Sequence, residues 1–446
     1  MFSYLPQTEK DIREMLEVIG VDSIDELFKD IPKEILMNTP LNIPKGISEY
    51  EVFKRMTELA EKNRQGISFM GCGSYEHLIP SVVGHILQLP NFYTAYTPYQ
   101  AEISQGILQS IFEFQTLICE LTGMEVSNAS LYDDHTAASE AITMAVNTRK
   151  KADRVLVSGT IHPNTRSVIE TFFFDVSIKI EEIPSKDYVT SIDALTEMID
   201  ENVAAVLIQT PNIYGWTEDL SGFADIVHEN KALLIVSSNP MSLGLLKSQA
   251  DWGADIAIGG TQPFGLATYF GGPSVGYIST GTKLTRKMPG RIVGQTKDVD
   301  DKRAFVLTLQ AREQHIKRQR ATSNICSNQA LAAMGSGIYL STVGWNGLKK
   351  AATMSFQKAH YLYRRLTEEL GLKPLANKDF FNEFTLIIPK SDKVLINMES
   401  QGIFAGVGLS RFFPDLKDAV TIAVTEKRTK EEMDAYVDLL KGVLNE

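Results

Sequence analysis

Residues 255–276 read DIAIGGTQPFGLATYFGGPSVG, and they decide how the rest of this 446-residue chain is interpreted. Residues 255–258 form a short run of β-forming side chains, and a polar turn at 259–262 follows it. A Gly-Gly-Pro loop then leads into a second strand-like run at 275–279. No lysine lies in this stretch, and the turn carries Gln262 instead. Because an amide cannot act as an imine-forming amine, the segment offers no Schiff-base chemistry of its own.

The same pattern extends outward from this segment over residues 154–279. Short apolar runs alternate there with helical stretches such as 220–228, whose apolar residues fall on one side. This alternation predicts an α/β fold with a mostly parallel sheet covered on both faces. The predicted strands are 155–158, 176–180, 204–209, 233–237, 255–258 and 275–279. Ligands of such sheets bind at the carboxyl ends of the strands, where the loops 210–212, 238–240 and 261–263 are expected.

Two helices are predicted before this alternation begins. Apolar residues of 107–121 fall on one stripe, and residues 128–149 read as a loop that opens an Ala-rich helix near Asp133 or Asp134. The start of a helix normally suits a phosphate, since free N–H groups and the helix dipole meet there. Here the two carboxylates would cap the helix themselves and repel a phosphate dianion.

The chain divides into three predicted parts. Residues 1–64 read as a helical arm, with capping-box patterns at Thr8 and at Ser23. Residues 65–330 form the large α/β domain, and residues 331–446 form a smaller C-terminal α/β domain. In the smaller domain the predicted elements are the helices 351–369, 393–401 and 430–444 and the strands 385–388 and 420–424.

The composition is ordinary for a soluble globular protein, with 43% hydrophobic and 22% charged residues. A net charge of −11 argues against nucleic acid as the main partner. The three cysteines show neither metal-ligand spacing nor a disulfide framework, which favours a reducing compartment and a cytoplasmic protein. No signal peptide is expected, and no run reaches the roughly 20 apolar residues that span a bilayer, so no membrane partner is expected either.

The sequence predicts no familiar catalytic motif. The seven histidines are scattered without an HExxH arrangement, and no metal site is predicted. The G-x-S-x-G at 272–276 leads into the strand-like run 275–279 and not into a helix, so it does not predict a serine nucleophile elbow. The pair Gly71 and Gly73 does not continue as a dinucleotide fingerprint. Cys72 could be a nucleophile, but a lone cysteine without a placed base is more often inert.

Two segments have an unusual composition that leaves alternatives open. Residues 71–99 combine glycines and prolines with tyrosines and phenylalanines, which suits a ligand wall or a subunit interface as well as a loop packed on its own core. Residues 290–328 are rich in Arg, Lys and Gln. Such a cluster is usually a solvated face, and the alternative is an electropositive channel for anionic ligands or an acidic partner.

Long blocks of the chain resemble one family, the first (α) subunit of the two-subunit glycine decarboxylase, which is the P-protein of the glycine cleavage system. They are spread over nearly the whole chain, and motifs of this length are specific. The blocks are NFYTAYTPYQAEISQG (91–106), NASLYDDHTAASEA (128–141), GGPSVGY (271–277), MPGRIVG (288–294) and RAFVLTLQAREQHIKR with ATSNIC (303–326).

The resemblance implies the fold of type I aminotransferases, which bind pyridoxal phosphate (PLP). In this family the β-type chain carries the PLP lysine and the α-type chain has lost it. Nine residues before the Gly-Gly-Pro, where β-type chains have lysine, this chain has Gln262. Asn239 stands near the place of the aspartate that pairs with the pyridine nitrogen. With Asp133 and Asp134 at the helix start, these residues are expected to form a degenerate cofactor site.

The resemblance also implies a reaction and partners. A PLP-bearing β subunit, in an α2β2 assembly, would decarboxylate glycine through the electron-sink chemistry of its cofactor. The aminomethyl group would then pass to the lipoyl arm of the H-protein. We expect the active site near the α/β interface, with its wall or entrance formed by Tyr96, Thr97, Pro98, Tyr99 and Gln100 and with Glu102 and Gln105 holding that loop. Arg312, His315, Lys317 and Arg318 are candidates for contact with the acidic H-protein.

Two other interpretations remain open on the sequence. The chain could be a self-sufficient PLP enzyme that uses another lysine, such as Lys247 or Lys287. It could also be a structural partner subunit without a share in catalysis. No residue of this chain is assigned as a catalytic acid or base.

Overall fold

The apolar runs that follow Arg154 form the centre of a seven-stranded sheet in the computed structural model. The structure describes residues 4, 6–37, 39, 41–93 and 97–445. Six strands run parallel, and Gly276–Thr280 runs antiparallel to both of its neighbours. In spatial order the strands are Val126–Ser127, Gly276–Thr280, Ile256–Gly260, Leu233–Ser237, Val203–Gln209, Arg154–Ser158 and Lys179–Ile183. The predicted mostly parallel sheet is therefore confirmed.

The central strands are apolar on both faces because both faces are covered. On one face, Val155 and Val157 pack against alanines of the helix Asp134–Thr148. On the other face, Leu156 and Val206 pack with Leu195 of the helix Ile192–Met198 and with residues of Phe223–Glu229. Because side chains alternate along each strand, the sheet packs against helices on both faces. Because the strands are parallel, their carboxyl ends lie along one edge of the sheet.

The described residues divide into two units, 1–64 and 65–446. In the first unit the helices are Glu9–Ile19 and Glu49–Ala60, with a 3₁₀ turn at Ile24–Phe28. Thr8 and Asp11 form the predicted capping box. The capping box predicted at Ser23 is wrong, since the Ser23 side chain makes no capping bond there. Ser48 and Glu51 form one that the sequence analysis did not predict.

In residues 65–446 the helices and the smaller sheets surround the central sheet. The helices are Ser81–Leu87, Pro90–Tyr93, Gln105–Thr122, Asp134–Thr148, Pro163–Phe172, Ile192–Met198, Phe223–Glu229, Gln314–Lys317, Ala330–Arg364, Ser391–Ser400 and Lys430–Asn445. An antiparallel hairpin joins Ile292–Lys297 to Arg303–Thr308, and shorter pairs join Ile67–Ser68 to Ile403–Phe404 and Ser185–Lys186 to Val189–Thr190. A four-stranded antiparallel sheet has the order Lys373–Pro374, Glu383–Ile387, Ala419–Ala423 and Val407–Gly408.

Two predicted elements differ from the structure. The strand predicted at 176–180 lies at Lys179–Ile183, where it is the edge strand of the sheet. A search for apolar runs misses this strand because it contains charged residues. An edge strand tolerates charged residues because one of its edges faces solvent. The helix predicted at 351–369 is the second half of Ala330–Arg364, which breaks its helical geometry at Gly344, where φ is 59°. Glycine permits this conformation because it has no Cβ.

The four-stranded sheet shares its core with residues from earlier in the chain. Phe384, Ile422 and Tyr436 pack in one cluster with Phe69 and Trp216. Strand Glu383–Ile387 is thereby brought next to the segment that follows Ile67–Ser68. Among the residues that the structure describes, no helix is long and apolar enough to cross a membrane.

Candidate functional site

A polar cavity lies at the carboxyl ends of the parallel strands, where such sheets bind ligands. Gln209 ends one strand, Asn239 follows the next, and Gln262 follows Ile256–Gly260. The cavity has a volume of about 50 Å³. Its lining is Gly73, Tyr75, Asp134, Gln209, Pro211, Ser237, Ser238, Asn239, Pro240, Gly260, Gln262, Pro263, Ser274, Asn382 and Glu383. The structure thus brings together Asp134, Asn239 and Gln262 from the predicted degenerate site.

Gln262 is fixed by three hydrogen bonds within the chain. The Tyr75 N–H donates to Gln262 Oε1 at 2.9 Å, and Gln262 Nε2 donates to the carbonyls of Tyr75 at 3.0 Å and Leu266 at 2.9 Å. The side chain is buried. The amide therefore joins the turn after the strand to the loop that contains Tyr75, and its donors and acceptor are occupied.

The helix Asp134–Thr148 begins beside the cavity, and the carboxylate of Asp133 caps its N-terminus. Asp133 Oδ1 accepts from the Thr136 N–H at 2.7 Å, which is a capping bond that satisfies one free donor of the first turn. Asp134 lines the cavity, and its side chain is 33% exposed and lies 3.8 Å from the His135 ring. Both carboxylates are favourable at a helix start, and together they give this end of the cavity a negative potential.

In the Asn239 side chain, only the amide oxygen makes a hydrogen bond within the chain. Its Oδ1 accepts from the Met241 N–H at 3.0 Å, which caps the short turn Pro240–Gly244. Gln209 is more fully used, because its Oε1 accepts from the His162 N–H at 2.8 Å and its Nε2 donates to the Pro211 carbonyl at 3.1 Å. Asn239 thus keeps its whole amide nitrogen for other contacts, whereas Gln209 has already used one of its two N–H donors.

Sequence reasoning missed a buried carboxyl group that also lines the cavity. Glu383 accepts from the Cys72 N–H at 2.6 Å and from the Tyr75 hydroxyl at 2.8 Å. A Cβ at Gly71 would lie 2.0 Å from its Oε1, so only glycine fits there. Burial raises the pKa of Glu383 to about 7. The Gly71 and Gly73 pair was the one signal in the sequence, but nothing in it pointed to a partner more than 300 residues away.

Two histidines near the helix start were also missed. The His135 and His162 rings lie 5.2 Å apart, and His135 Nδ1 is 2.8 Å from the Thr165 hydroxyl. His162 Nδ1 accepts from the Asn164 N–H at 3.0 Å, which requires that nitrogen to be unprotonated. Burial, with a smaller effect of His135, lowers the pKa of His162. The neutral ring is therefore the form that this geometry favours.

Replacing Glu383 by glutamine should change how stability depends on pH. The pKa of Glu383 is about 7 in the folded chain against an ordinary 4.5, so the folded chain binds more protons between these pH values and loses stability as the pH rises. This shift corresponds to about 3 kcal/mol. We expect the free energy of unfolding of Glu383→Gln, relative to wild type, to be about 3 kcal/mol higher at pH 8 than at pH 4 in urea titrations.

Glu426→Gln is the control with the opposite sign. Although burial alone would raise the pKa of Glu426, its hydrogen bond to His77, at 2.7 Å, lowers it. This carboxylate therefore stabilises the fold above its unfolded pKa, and its loss should be felt at neutral pH and fade in acid. Parallel pH profiles for wild type and Glu383→Gln would contradict the assignment.

The aromatic loop forms a second site, away from the cavity. Tyr96 lies outside the described residues. Pro98 is buried, Thr97 is half-buried, and Gln100 and Glu102 are exposed. Gln105 anchors the segment: its Nε2 donates to the Ala101 carbonyl at 2.7 Å and to the Phe305 carbonyl at 2.8 Å, and its Oε1 accepts from the Phe305 N–H at 2.8 Å.

Tyr99 connects this loop to the basic segment. Its ring is 49% exposed, and its hydroxyl accepts from Arg291 Nη2 at 3.0 Å. The Arg291 guanidinium also lies 5.2 Å from the ring centroid and pairs with Glu313 at 3.7 Å. His315 packs its edge against Tyr99, with the centroids 5.8 Å apart. We call Tyr99, Arg291, Glu313 and His315 the Tyr99 cluster, and none of them lines the cavity.

The remaining basic candidates separate into two kinds. Arg312 donates to the backbone carbonyls of Met288, Gly290 and Leu309, and burial lowers its pKa. The Arg312 guanidinium is therefore hydrogen-bonded within the chain and is not available to a partner. Lys317 and Arg318 are exposed beside His315. Among the residues that the structure describes, no group of three or more His, Cys, Asp or Glu could hold a metal ion.

Comparisons with known proteins agree over the whole length. Residues 2–440 match the family described as Glycine cleavage system P-protein. The chain is 50% identical over 442 residues to a Carboxydothermus hydrogenoformans protein named "Probable glycine dehydrogenase (decarboxylating) subunit 1", covering 98% of this chain and 99% of that one. A Moorella thermoacetica protein of the same name is 46% identical over 443 residues, covering 99% and 100%.

Solved structures give the same family and the wider fold. A crystal structure of glycine decarboxylase (P-protein) of the glycine cleavage system, in inhibitor-bound form, superposes with a TM-score of 0.92 at 39% identity, covering 99% of this chain and 100% of that one. Alanine–glyoxylate aminotransferase from Nostoc sp. superposes at 0.60 with 18% identity, covering 92% and 98%, which shows a likeness of fold alone. The predicted type I aminotransferase fold is thereby confirmed.

Proposed function

This chain belongs to the glycine cleavage system P-protein family, and on that premise we propose that it is one subunit of a two-subunit glycine decarboxylase whose PLP is held by the other subunit. The enzyme removes CO2 from glycine and passes the aminomethyl group to the lipoyl arm of the H-protein. The expected assembly is α2β2. The observation that carries the proposal is Gln262, an amide fully bonded within its own chain at the turn after Ile256–Gly260.

The cavity around Gln262 does not fit pyridoxal phosphate. Within the part of the chain that the structure describes, its lining contains no lysine or arginine, and Asp134 lies at the helix start where a phosphate would need positive potential. A volume of about 50 Å³ is also too small for a pyridine ring that bears a phosphate. No chemical step is therefore assigned to a cofactor in this cavity.

In this proposal the chain contributes a wall to its partner's active site. The PLP of the partner supplies the electron sink for decarboxylation. The Tyr99 ring, half exposed and held by Arg291 and His315, presents a fixed aromatic surface that excludes water and limits how glycine lies. Glu313 neutralises Arg291, so the cluster is rigid without a bare buried charge.

The exposed cations beside this cluster support a docking role. The cations are Lys317 and Arg318, which lie on one short segment with His315 of the Tyr99 cluster. A cationic surface there would attract an acidic carrier protein and lead its lipoyl arm toward the wall. Arg312 takes no part in this role, since its donors are used on backbone carbonyls.

The test is co-expression with the second subunit from the same cell. We expect the two chains to co-purify, and the complex, but neither chain alone, to release CO2 from carboxyl-labelled glycine in the presence of H-protein. After borohydride reduction, mass spectrometry should find the pyridoxyl label on the partner alone.

A self-sufficient PLP enzyme would instead show the label on this chain. Lys247 lies over the Trp252 ring at 4.3 Å, and Lys287 donates to the Asn147 carbonyl at 3.4 Å. Neither lysine lines the cavity. A pyridoxyl group on either of them would overturn the proposal.

A further inference from the structure

The cavity beside Gln262 contains polar groups that the chain does not use. Asn382 is 2% exposed and lines the cavity, yet its side-chain nitrogen has no hydrogen-bond partner. A buried amide without a partner is costly, at about 1–3 kcal/mol, and native chains seldom keep one without a reason. Gln262 uses both of its amide donors, and Asn239 is only half-buried, so among the amides of the lining the buried nitrogen without a partner is that of Asn382.

The charges of the lining determine what kind of ligand it accepts. Asp134 and Glu383 are its charged residues, and within the described part of the chain no cation faces the cavity. A free anion is therefore disfavoured, whereas an ammonium group next to Asp134 is favoured. A divalent metal lacks the three or more ligands that it needs. Asp134 is also 33% exposed, which leaves that end of the cavity open to solvent.

The second carboxyl group of the lining differs from Asp134 because Glu383 is already engaged. It accepts from the Cys72 N–H and the Tyr75 hydroxyl, and burial favours its neutral form. Beside it, the free amide nitrogen of Asn382 can donate to a carboxylate. The lining thus combines an acceptor of positive charge, Asp134, with an unused hydrogen-bond donor, Asn382.

Its volume limits the ligand to a very small molecule. One water needs roughly 10–15 Å³ of such space, so the cavity of about 50 Å³ holds about four water-sized groups. An amino acid with no side chain, or with a side chain of one or two atoms, is of this size. Larger side chains exceed this volume.

We propose that this cavity binds a small α-amino acid as its zwitterion, with the ammonium group at Asp134 and the carboxylate at the Asn382 amide. The chemistry of the site stands on the lining alone, and only the choice of glycine as the probe rests on the proposed function. The site would let this chain sense the amino acid without reacting with it, because no amine is available for covalent capture.

The experiment is a titration of glycine into the full chain purified without its partner and without PLP, followed by calorimetry and by NMR line broadening of glycine. We expect saturable binding of glycine and alanine, at least tenfold weaker binding of methylammonium and acetate, and no binding of valine. Asp134→Asn and Asn382→Asp should each weaken glycine binding by about tenfold or more. Asp193→Asn, on an exposed carboxylate outside the lining, is the matched control and should leave it unchanged.

Absence of glycine binding would overturn the proposal. So would acetate binding as tightly as glycine, or equal affinities in wild type and Asp134→Asn. If the Asn382 variant fails to fold in circular dichroism, the ligand series on the wild type still decides the matter. This result is distinguishable from a failure of the proposed function. The proposed function is tested by CO2 release from the assembled enzyme, whereas glycine binding is measured on this chain alone.

Discussion

Replacing Tyr99 by alanine should lower CO2 release from glycine by the assembled enzyme about 100-fold while the two subunits still assemble. Tyr99 is the half-exposed member of a cluster whose other members are fixed from within the chain. Losing the ring opens the proposed wall to water and lets glycine take unproductive orientations, and misplacement of this kind costs on the order of 10²-fold. The effect should appear in kcat more than in KM, since binding without alignment persists.

A graded series identifies what Tyr99 contributes. Tyr99→Phe keeps the ring and removes the hydroxyl that accepts from Arg291 at 3.0 Å. A hydrogen bond to a charged group is worth about 1.5–3 kcal/mol, so turnover should fall roughly tenfold if that bond positions the ring. Phe174→Ala, on a ring that is 90% exposed elsewhere, is the matched control and should have no effect. Unchanged turnover in Tyr99→Ala, with assembly intact by native mass spectrometry, would reduce this chain to a structural partner.

Introducing lysine at position 262 should destabilise the chain by about 3–5 kcal/mol and should not create a PLP enzyme. The substitution removes the amide that bonds Tyr75 at two backbone atoms and Leu266 at one. An ammonium group has no acceptor, so the Tyr75 N–H loses its partner at about 1–3 kcal/mol, and the rest of the cost comes from burying a charge in place of a neutral amide. The rest of the cavity still lacks a cation for phosphate, and Asp134 still faces it.

Urea unfolding measures the stability of Gln262→Lys, and borohydride reduction in the presence of PLP tests for covalent binding. Gln109→Lys is the control. That position is on the helix Gln105–Thr122 and bonds only to Glu113 four residues later, so a lysine there keeps a favourable pair. A stable Gln262→Lys chain that carries a reducible imine would mean that a single substitution separates this cavity from a working cofactor site.

The local features of the fold could be predicted from the sequence. Alternating apolar runs gave the parallel sheet, and the acidic pair at 133–134 marked the start of the helix Asp134–Thr148. These predictions depend on short-range patterns, which the structure preserves. Gln262 was also accessible, because the missing lysine is visible in one stretch of sequence.

The contacts that define the two sites could not be predicted in this way. Glu383 meets Cys72 and Tyr75 across more than 300 residues, and Arg291 meets Tyr99 across 192. The hydrophobic periodicity of a sequence does not predict such contacts, since they arise when separate layers of the fold pack together. The first half of the long helix Ala330–Arg364 was not predicted. Its glycines lower the helix propensity of that stretch, whereas Gly335 lies in a helix packed so closely that a Cβ would meet Leu87 at 3.1 Å.

The bonds made by the Gln262 side chain have a consequence for how the protein matures in the cell. Because the polypeptide joins these two loops through its own amide, we expect its folding to be independent of a coenzyme. Under vitamin B6 starvation this chain should therefore accumulate in folded form, and its cellular abundance would follow gene expression and not coenzyme supply.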